Sequence, residues 1–250
     1  MTGARHGWAA ATGATAHVFV DALTDECAVG GDDGHHLQRA RRVRPGETIT
    51  AADGSGAWRA YEVATVAPGV LRLVAVGPVV HEPDVRPRIS VAVALTKGGA
   101  FDAVVAGLTE LGAHRIEPVR TERIVVKWDE SRATGALDRW RHIAREAAMQ
   151  SRRAVVPEVA PVADVASLAG RPGLVVADRS GTAVDDLAPP PGGEWVVVVG
   201  PEGGLSAAEL ATLGTDRVAV GRHVLRAQTA PLAVVAALRG RTTPVPDVVN

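Results

Sequence analysis

Apolar positions along the chain change their period once. From His17 to about Val76 they come in short runs: His17-Val-Phe-Val, Thr48-Ile-Thr, Arg59 to Val66 and Val70 to Val76. Such short, β-branched runs predict half-buried strands. Pro45-Gly46, Asp53-Gly54 and Pro68-Gly69 punctuate them, supplying the fixed or permissive φ that tight turns require. The pattern predicts a small β domain over residues 17–78. Between Gly77 and Arg88, Pro78, Pro83 and Pro87 stand among charged residues. Proline has no amide for a sheet interior, so 79–88 is expected to be a linker.

After the linker, strands alternate with helices. Ile89 to Leu95, Arg115 to Val119, Gly173 to Ala177, Trp195 to Val199 and Arg217 to Val220 are apolar runs of strand length. Phe101, Val104, Val105, Leu108 and Leu111 share one face of a helix that Gly112 can close. Further helices are expected over Ala136 to Gln150, Ala207 to Leu213 and about Ala230 to Arg239. Continuous apolar strands flanked by helices imply an α/β domain over 89–243, with a mostly parallel sheet buried on both faces. In such sheets ligands bind at the carboxyl ends of the strands. Met1 to Ala16 lacks the apolar stretch of a signal peptide and is expected to be a disordered extension. No run approaches the roughly eighteen apolar residues of a membrane helix, so a soluble chain without a membrane partner is expected.

Composition sharpens this picture. Over 250 residues, 46% hydrophobic and 22% charged content is globular, which argues against a disordered or fibrous chain. The 27 basic and 28 acidic residues leave a net charge of -1, so bulk charge attracts neither nucleic acid nor membrane. That total averages unlike segments. From Pro157 to Asp216 nine acids face two arginines, whereas from Arg217 to Arg241 five arginines meet no acid. Lys97 and Lys127 are the only lysines. The remaining arginines suit phosphate, and a GC-rich genome gives the same excess. Cys27 is alone, which excludes an intrachain disulfide and points to a reducing cytosol.

Three segments could carry chemistry. Trp195 to Val199 runs into Gly200-Pro-Glu-Gly-Gly-Leu205 and then Ser206-Ala-Ala-Glu209, whose Ser and Glu spacing is a capping box that fixes the helix start. The glycines allow close backbone approach to a ligand. A phosphate loop would need Gly-Lys-Ser/Thr or G-x-G-x-x-G, and Glu202 puts negative charge where phosphate would sit. A ligand with donors, or a proton-transfer role, fits better; a plain tight turn is the competing reading. In Val220-Gly221-Arg222-His223-Val224-Leu225-Arg226-Ala227-Gln228-Thr229-Ala230-Pro231, a strand ends and a helix begins, and Arg226 faces an anion or polarisable group unless it is an ordinary loop arginine. Arg141, Arg145 and Arg152 fall together on a different stripe from the packed Trp140, Ile143, Ala144 and Ala147, and Arg39, Arg41, Arg42 and Arg44 crowd the β domain. Each cluster alone reads equally as a solvated face; two together suggest an RNA groove. His35-His36 lacks metal-ligand company, and no metal is expected.

The blocks resemble those of the bacterial 16S ribosomal RNA uracil-N3 methyltransferases, a branch of the knotted SPOUT class. Gly200-Pro-Glu-Gly-Gly-Leu-Ser-x-x-Glu209 and Leu225-Arg-Ala-Gln-Thr-Ala230 are similar to the two carboxyl-terminal signatures. Lys97 with Thr109-Glu-Leu-Gly112, Pro118 and Thr121-Glu-Arg123 resembles the central block. Glu146-Ala-x-x-Gln150-Ser-x-Arg153 with Pro157, and His36-Leu-x-Arg39 through Arg42 and Gly46, match two more. The likeness covers about residues 17 to 240. Gln228 departs where the family usually has Glu, Ala40-Arg41 replaces an apolar pair, and Gly107 replaces a frequent Lys.

The resemblance implies a PUA-like β-barrel followed by an α/β trefoil-knot methyltransferase domain, acting as a cytoplasmic homodimer on 16S rRNA of the small ribosomal subunit. It implies S-adenosyl-L-methionine held by Ala177, Gly200, Gly203, Val220, Gly221, Leu225 and Ala227, and methylation of N3 of the uridine at conventional position 1498. Glu202 would accept a proton or orient the base, and Arg226 would place charge on the uracil carbonyls. Arg39, Arg42, Arg44, Arg145, Arg152 and Arg153 would hold phosphates. A knotted ribose 2′-O-methyltransferase and a non-catalytic ribosome-assembly factor are the competing readings.

Overall fold

The structure is a computed structural model that describes residues 13–96, 99–124, 130–241 and 243–244. Two compact units make it up. The first holds the described residues up to Pro83 together with Ala148–Val156; the second holds Asp84–Ala147 and the chain from Pro157 onward.

The first unit contains β1 (His17–Phe19), β2 (Glu26–Val29), helix α1 (Gly31–Arg39), β3 (Thr48–Ala52), β4 (Ala57–Ala67), β5 (Val70–Ala75) and β6 (Val80–His81). The strand order is β1-β3-β4-β5-β2, with β6 added on β4. β1 runs parallel to β3 and the other pairs are antiparallel. Side chains alternate as a half-buried sheet requires: Leu71 and Leu73 of β5 are buried while Arg72 is exposed. They join Val18, Ile49, Tyr61 and Val63 in one core. Periodicity gave no sign of α1, because it buries only Gly34 and Leu37. Gly34 must lack a side chain, since a Cβ there would lie 2.5 Å from the Gly69 carbonyl oxygen and 2.8 Å from that of Val29.

Residues 148–156 complete this unit. The Nε2–H of buried His17 donates to the Arg153 carbonyl at 3.1 Å, and its Nδ1 lies 2.9 Å from the Thr50 hydroxyl. Burial lowers the His17 pKa to about 4, keeping the ring neutral in the fold. Ala154 packs with Ala52 and Trp58, and its amide donates to a Glu82 carboxylate oxygen at 2.9 Å. Residues 14–16, expected to belong to a disordered extension over 1–16, are instead ordered: Ala14 and Ala16 are buried, and the Thr15 amide donates to the Thr48 carbonyl at 2.9 Å. Two alanines are small enough to lie along β3. Residues 1–12 fall outside the described residues.

The second unit runs β7 (Val85–Arg86), β8 (Arg88–Ala94), α2 (Ala100–Glu110), β9 (Arg115–Arg120), α3 (Glu130–Gln150), β10 (Glu158–Val159), β11 (Ala163–Asp164), β12 (Leu174–Ala183), β13 (Glu194–Val199), α4 (Ala207–Leu213), β14 (Arg217–Ala219), α5 (Ala230–Arg239) and β15 (Thr243–Pro244). The last three residues of α3 belong to the first unit. Its main sheet has the order β10-β9-β8-β13-β12-β14, with β11 also on β9, and every pairing in it is parallel. Both faces are covered. Trp195, Val197 and Val199 of β13 join a core with Phe101, Val105, Trp140 and Val235, while Val196 and Val198 join another with Val165, Leu168, Leu205 and Leu213. That explains why β13 is an uninterrupted apolar run, each buried valine contributing about 1.5–3 kcal/mol. Trp140 anchors α3: its ring lies 4.5 Å from that of Phe101, and its Nε1–H donates to Asp102 at 3.0 Å.

The segment 79–88, expected as a linker, carries β6, β7 and the start of β8, and β7 pairs antiparallel with β15. Its prolines alternate with residues whose amides remain free to pair, so two-residue strands fit between them.

Candidate active site

The middle of β12 and the carboxyl ends of β13 and β14 border a cavity of about 440 Å³. After β13 the chain turns through Pro201–Gly204, closed by the Gly204 amide donating to the Pro201 carbonyl at 2.8 Å, with Gly204 at a φ of +68°. Helix α4 then begins at the expected capping box: the Ser206 hydroxyl accepts from the Glu209 amide at 3.1 Å, and a Glu209 carboxylate oxygen accepts from the Ser206 amide at 2.7 Å. The other oxygen of buried Glu209 accepts the Glu122 amide at 2.8 Å, and the Arg123 guanidinium donates to the Gly203 carbonyl at 2.7 Å. The loop is thus clamped from both sides of its backbone, and these clamps need no ligand.

The second wall follows β14. Val220, His223, Val224, Leu225 and Ala227 line the cavity, with Val224 80% exposed at its rim. The Arg226 carbonyl accepts from the amides of Thr229 and Ala230 at 2.8 and 2.9 Å, which turns the chain into α5. Thr229 is the residue before that helix but makes no side-chain cap, and Pro231 occupies the first turn as expected.

The third wall is an irregularity in β12. Val218 of β14 pairs with both Ala177 and Thr182, so residues 178–181 bulge out of the ladder. A Cβ on Gly181 would lie 2.5 Å from the backbone of Arg217 and Val218. Asp178 and Arg179 line the cavity from this bulge. One Asp178 oxygen accepts from the Ser180 hydroxyl and amide at 2.6 and 2.8 Å, bonds that hold its pKa below the usual value. Sequence reading did not single out these two residues, because Asp-Arg-Ser-Gly resembles an ordinary turn. The available signal was an acid directly after an apolar strand, at the end where ligands bind.

Of the residues expected around a cofactor, Ala177, Gly200, Gly203, Val220, Leu225 and Ala227 line the cavity; Gly221 does not. Exposed Glu202 lines it too, whereas Arg226 is exposed in the second wall without lining it. Arg39, Arg42 and Arg44 are exposed in the first unit, Arg42 at a φ of +53°. Arg145, in the second unit, and Arg152 and Arg153, in the first, are half-buried. Lys97 lies outside the described residues. Among the described residues, no group of three or more His, Cys, Asp or Glu could hold a metal ion, and no helix is long and apolar enough to cross a membrane.

Comparison with known proteins agrees with this architecture. Residues 83–239 match the family described as RNA methyltransferase domain, and residues 29–69 the family described as RNA methyltransferase PUA domain. The class is therefore that of RNA methyltransferases with a PUA domain ahead of a SPOUT-type α/β domain. Ribosomal RNA small subunit methyltransferase E of Mycobacterium tuberculosis (strain CDC 1551 / Oshkosh) is 36% identical over 238 residues, covering 88% of this chain and 89% of that protein. The protein of the same name from Bacillus subtilis (strain 168) is 29% identical, over 86% and 90% of the two chains. This chain belongs to the ribosomal RNA small subunit methyltransferase E family. The crystal structure of the Neisseria gonorrhoeae member, bound to S-adenosyl methionine, aligns with a TM-score of 0.77 at 28% identity, over 90% of this chain and 97% of that one.

Proposed function

We propose that this protein transfers the methyl group of S-adenosyl-L-methionine to N3 of one uridine, at conventional position 1498, in 16S rRNA of the small ribosomal subunit. The carrying observation is the cavity where the Gly200–Gly204 backbone faces Val220 to Ala227 at the carboxyl ends of a parallel sheet. Its volume of about 440 Å³ lies within the roughly 300–1,000 Å³ of small-molecule sites. Gly200 and Gly203 bring backbone without side chains to the cavity, and Val199, Val220, Leu225 and Ala227 give an apolar wall. These residues, with Ala177, would hold the cofactor, which brings an electrophilic methyl on sulfur.

The chain's own groups do the rest. Uracil N3 carries a proton at neutral pH. The Glu202 carboxylate takes it as the N3–methyl bond forms and the methyl–sulfur bond breaks, its electron pair staying on what becomes a neutral thioether, and the Arg226 guanidinium offsets the negative charge that spreads onto the uracil carbonyls. Arg39, Arg42, Arg44, Arg145, Arg152 and Arg153 hold phosphates of the RNA without reading its sequence. The β unit over 17–78 serves RNA binding and the α/β unit over 89–243 serves transfer. A trefoil knot in the carboxyl-terminal part is supported by β12 lying between β13 and β14. The homodimer and the cytoplasmic location follow from the family resemblance.

Nucleoside mass spectrometry of 16S rRNA from a strain lacking the protein tests this reading. Loss of one N3-methyluridine that returns with purified protein and S-adenosylmethionine is expected; loss of a 2′-O-methyl nucleoside, or of none, overturns it. Glu202→Gln is expected to lower turnover about 100-fold while leaving cofactor affinity within about twofold. Unchanged turnover would remove Glu202 from the reaction.

A further inference from the structure

We propose that Asp178, presented by the β12 bulge, accepts hydrogen bonds from the ribose hydroxyls of the cofactor. The inference rests on the cofactor reading above and adds a second carboxylate, beside Glu202, to the side chains that face the cavity. Three observations converge on it. First, Asp178 lines the cavity where β12 leaves its ladder after Ala177, beside the chain that leaves β14. Second, the bulge is built to hold it there: Val218 pairs on either side of residues 178–181, and Gly181 sits where any Cβ would strike the β14 backbone at 2.5 Å. Third, both Ser180 bonds fall on Oδ1, so among the described residues Oδ2 has no hydrogen-bond donor and is left to accept one.

The chemistry favours a neutral hydroxyl over the cofactor's ammonium group. Arg179 follows Asp178 directly, and Arg179 and Arg217 both act on its carboxylate through their positive charge. Their charge lessens what an ammonium would gain from the carboxylate, whereas a hydroxyl donates without adding charge.

Calorimetry on the full chain tests this with S-adenosylhomocysteine, its 2′-deoxy and 3′-deoxy counterparts, and 5′-methylthioadenosine, which keeps the ribose and lacks the amino acid. Wild-type protein is expected to lose about tenfold or more in affinity when one of the hydroxyls is removed. Asp178→Ala is expected to weaken S-adenosylhomocysteine and 5′-methylthioadenosine by the same factor and to stop discriminating against the deoxy ligands. If both deoxy ligands bind wild-type protein as tightly as the parent, or if Asp178→Ala weakens only ligands carrying the amino acid, the assignment is wrong. The deoxy ligands probe unaltered protein, so the test survives a misfolded variant. If wild-type protein binds no S-adenosylhomocysteine, with or without RNA, the cofactor reading itself fails; binding without hydroxyl dependence sinks the Asp178 assignment alone.

Discussion

His17 is 5% exposed, fixed between the Thr50 hydroxyl and the Arg153 carbonyl 136 residues away. In the unfolded chain its ring takes up a proton near pH 6.5; in the fold burial delays this to about pH 4. Between those values the unfolded state binds more protons, so His17 stabilises the fold above pH 6.5 and progressively ceases to as pH falls toward 4. The full effect is on the order of 3 kcal/mol. Urea unfolding of wild type and His17→Gln at pH 7.5, 5.5 and 4.5 measures it. The variant is expected to be less stable at pH 7.5 and to lose less on acidification; parallel losses would exclude His17 as the titrating group. Nothing near His17 in the sequence pointed to Arg153. Its apolar neighbours Val18 and Phe19 identified a strand, but a bond across 136 residues has no local signature.

Elements with many apolar side chains were legible, and those with few were not. β8, β12, β13 and α2 follow the expected runs because buried positions repeat along each of them. β2 and α1 bury one and two residues, respectively, so they leave no periodic trace. β12 was read as ending at Ala177 yet resumes pairing at Thr182, since the intervening polar residues leave the ladder and return to it. The capping box of α4 was legible because it is local, but its second use was not. Glu209 joins the helix start to Glu122, so one carboxylate fixes both the loop and the segment after β9. Glu209→Ala removes the acceptor of two amides. It is expected to destabilise the protein by about 2–3 kcal/mol in urea unfolding and to weaken S-adenosylhomocysteine binding. A change below about 0.5 kcal/mol would show that water replaces it at no cost.

Over the whole molecule, near-neutral charge conceals an uneven distribution along the chain. The five arginines from Arg217 to Arg241 stand without an acid, following a stretch with nine acids and two arginines. If the six arginines assigned to RNA contact phosphates, affinity should fall about 1,000-fold between 50 and 200 mM salt. Filter binding of 16S rRNA measures the slope. A flat salt response would mean that phosphate contacts contribute little to holding the RNA.

The first unit draws on two stretches of sequence, ending at Pro83 and resuming at Ala148–Val156. Chain growth from the amino end therefore delivers its parts at different times. At about 5–20 residues per second, roughly 4–15 seconds separate synthesis of Pro83 from that of Val156. During that interval His17 lacks its carbonyl partner, and Ala52 and Trp58 lack the Ala154 side chain that packs with them. The β strands made first must wait for about two fifths of the α/β unit to be translated before their own core is complete, and a nascent chain stopped anywhere between those points holds no finished unit.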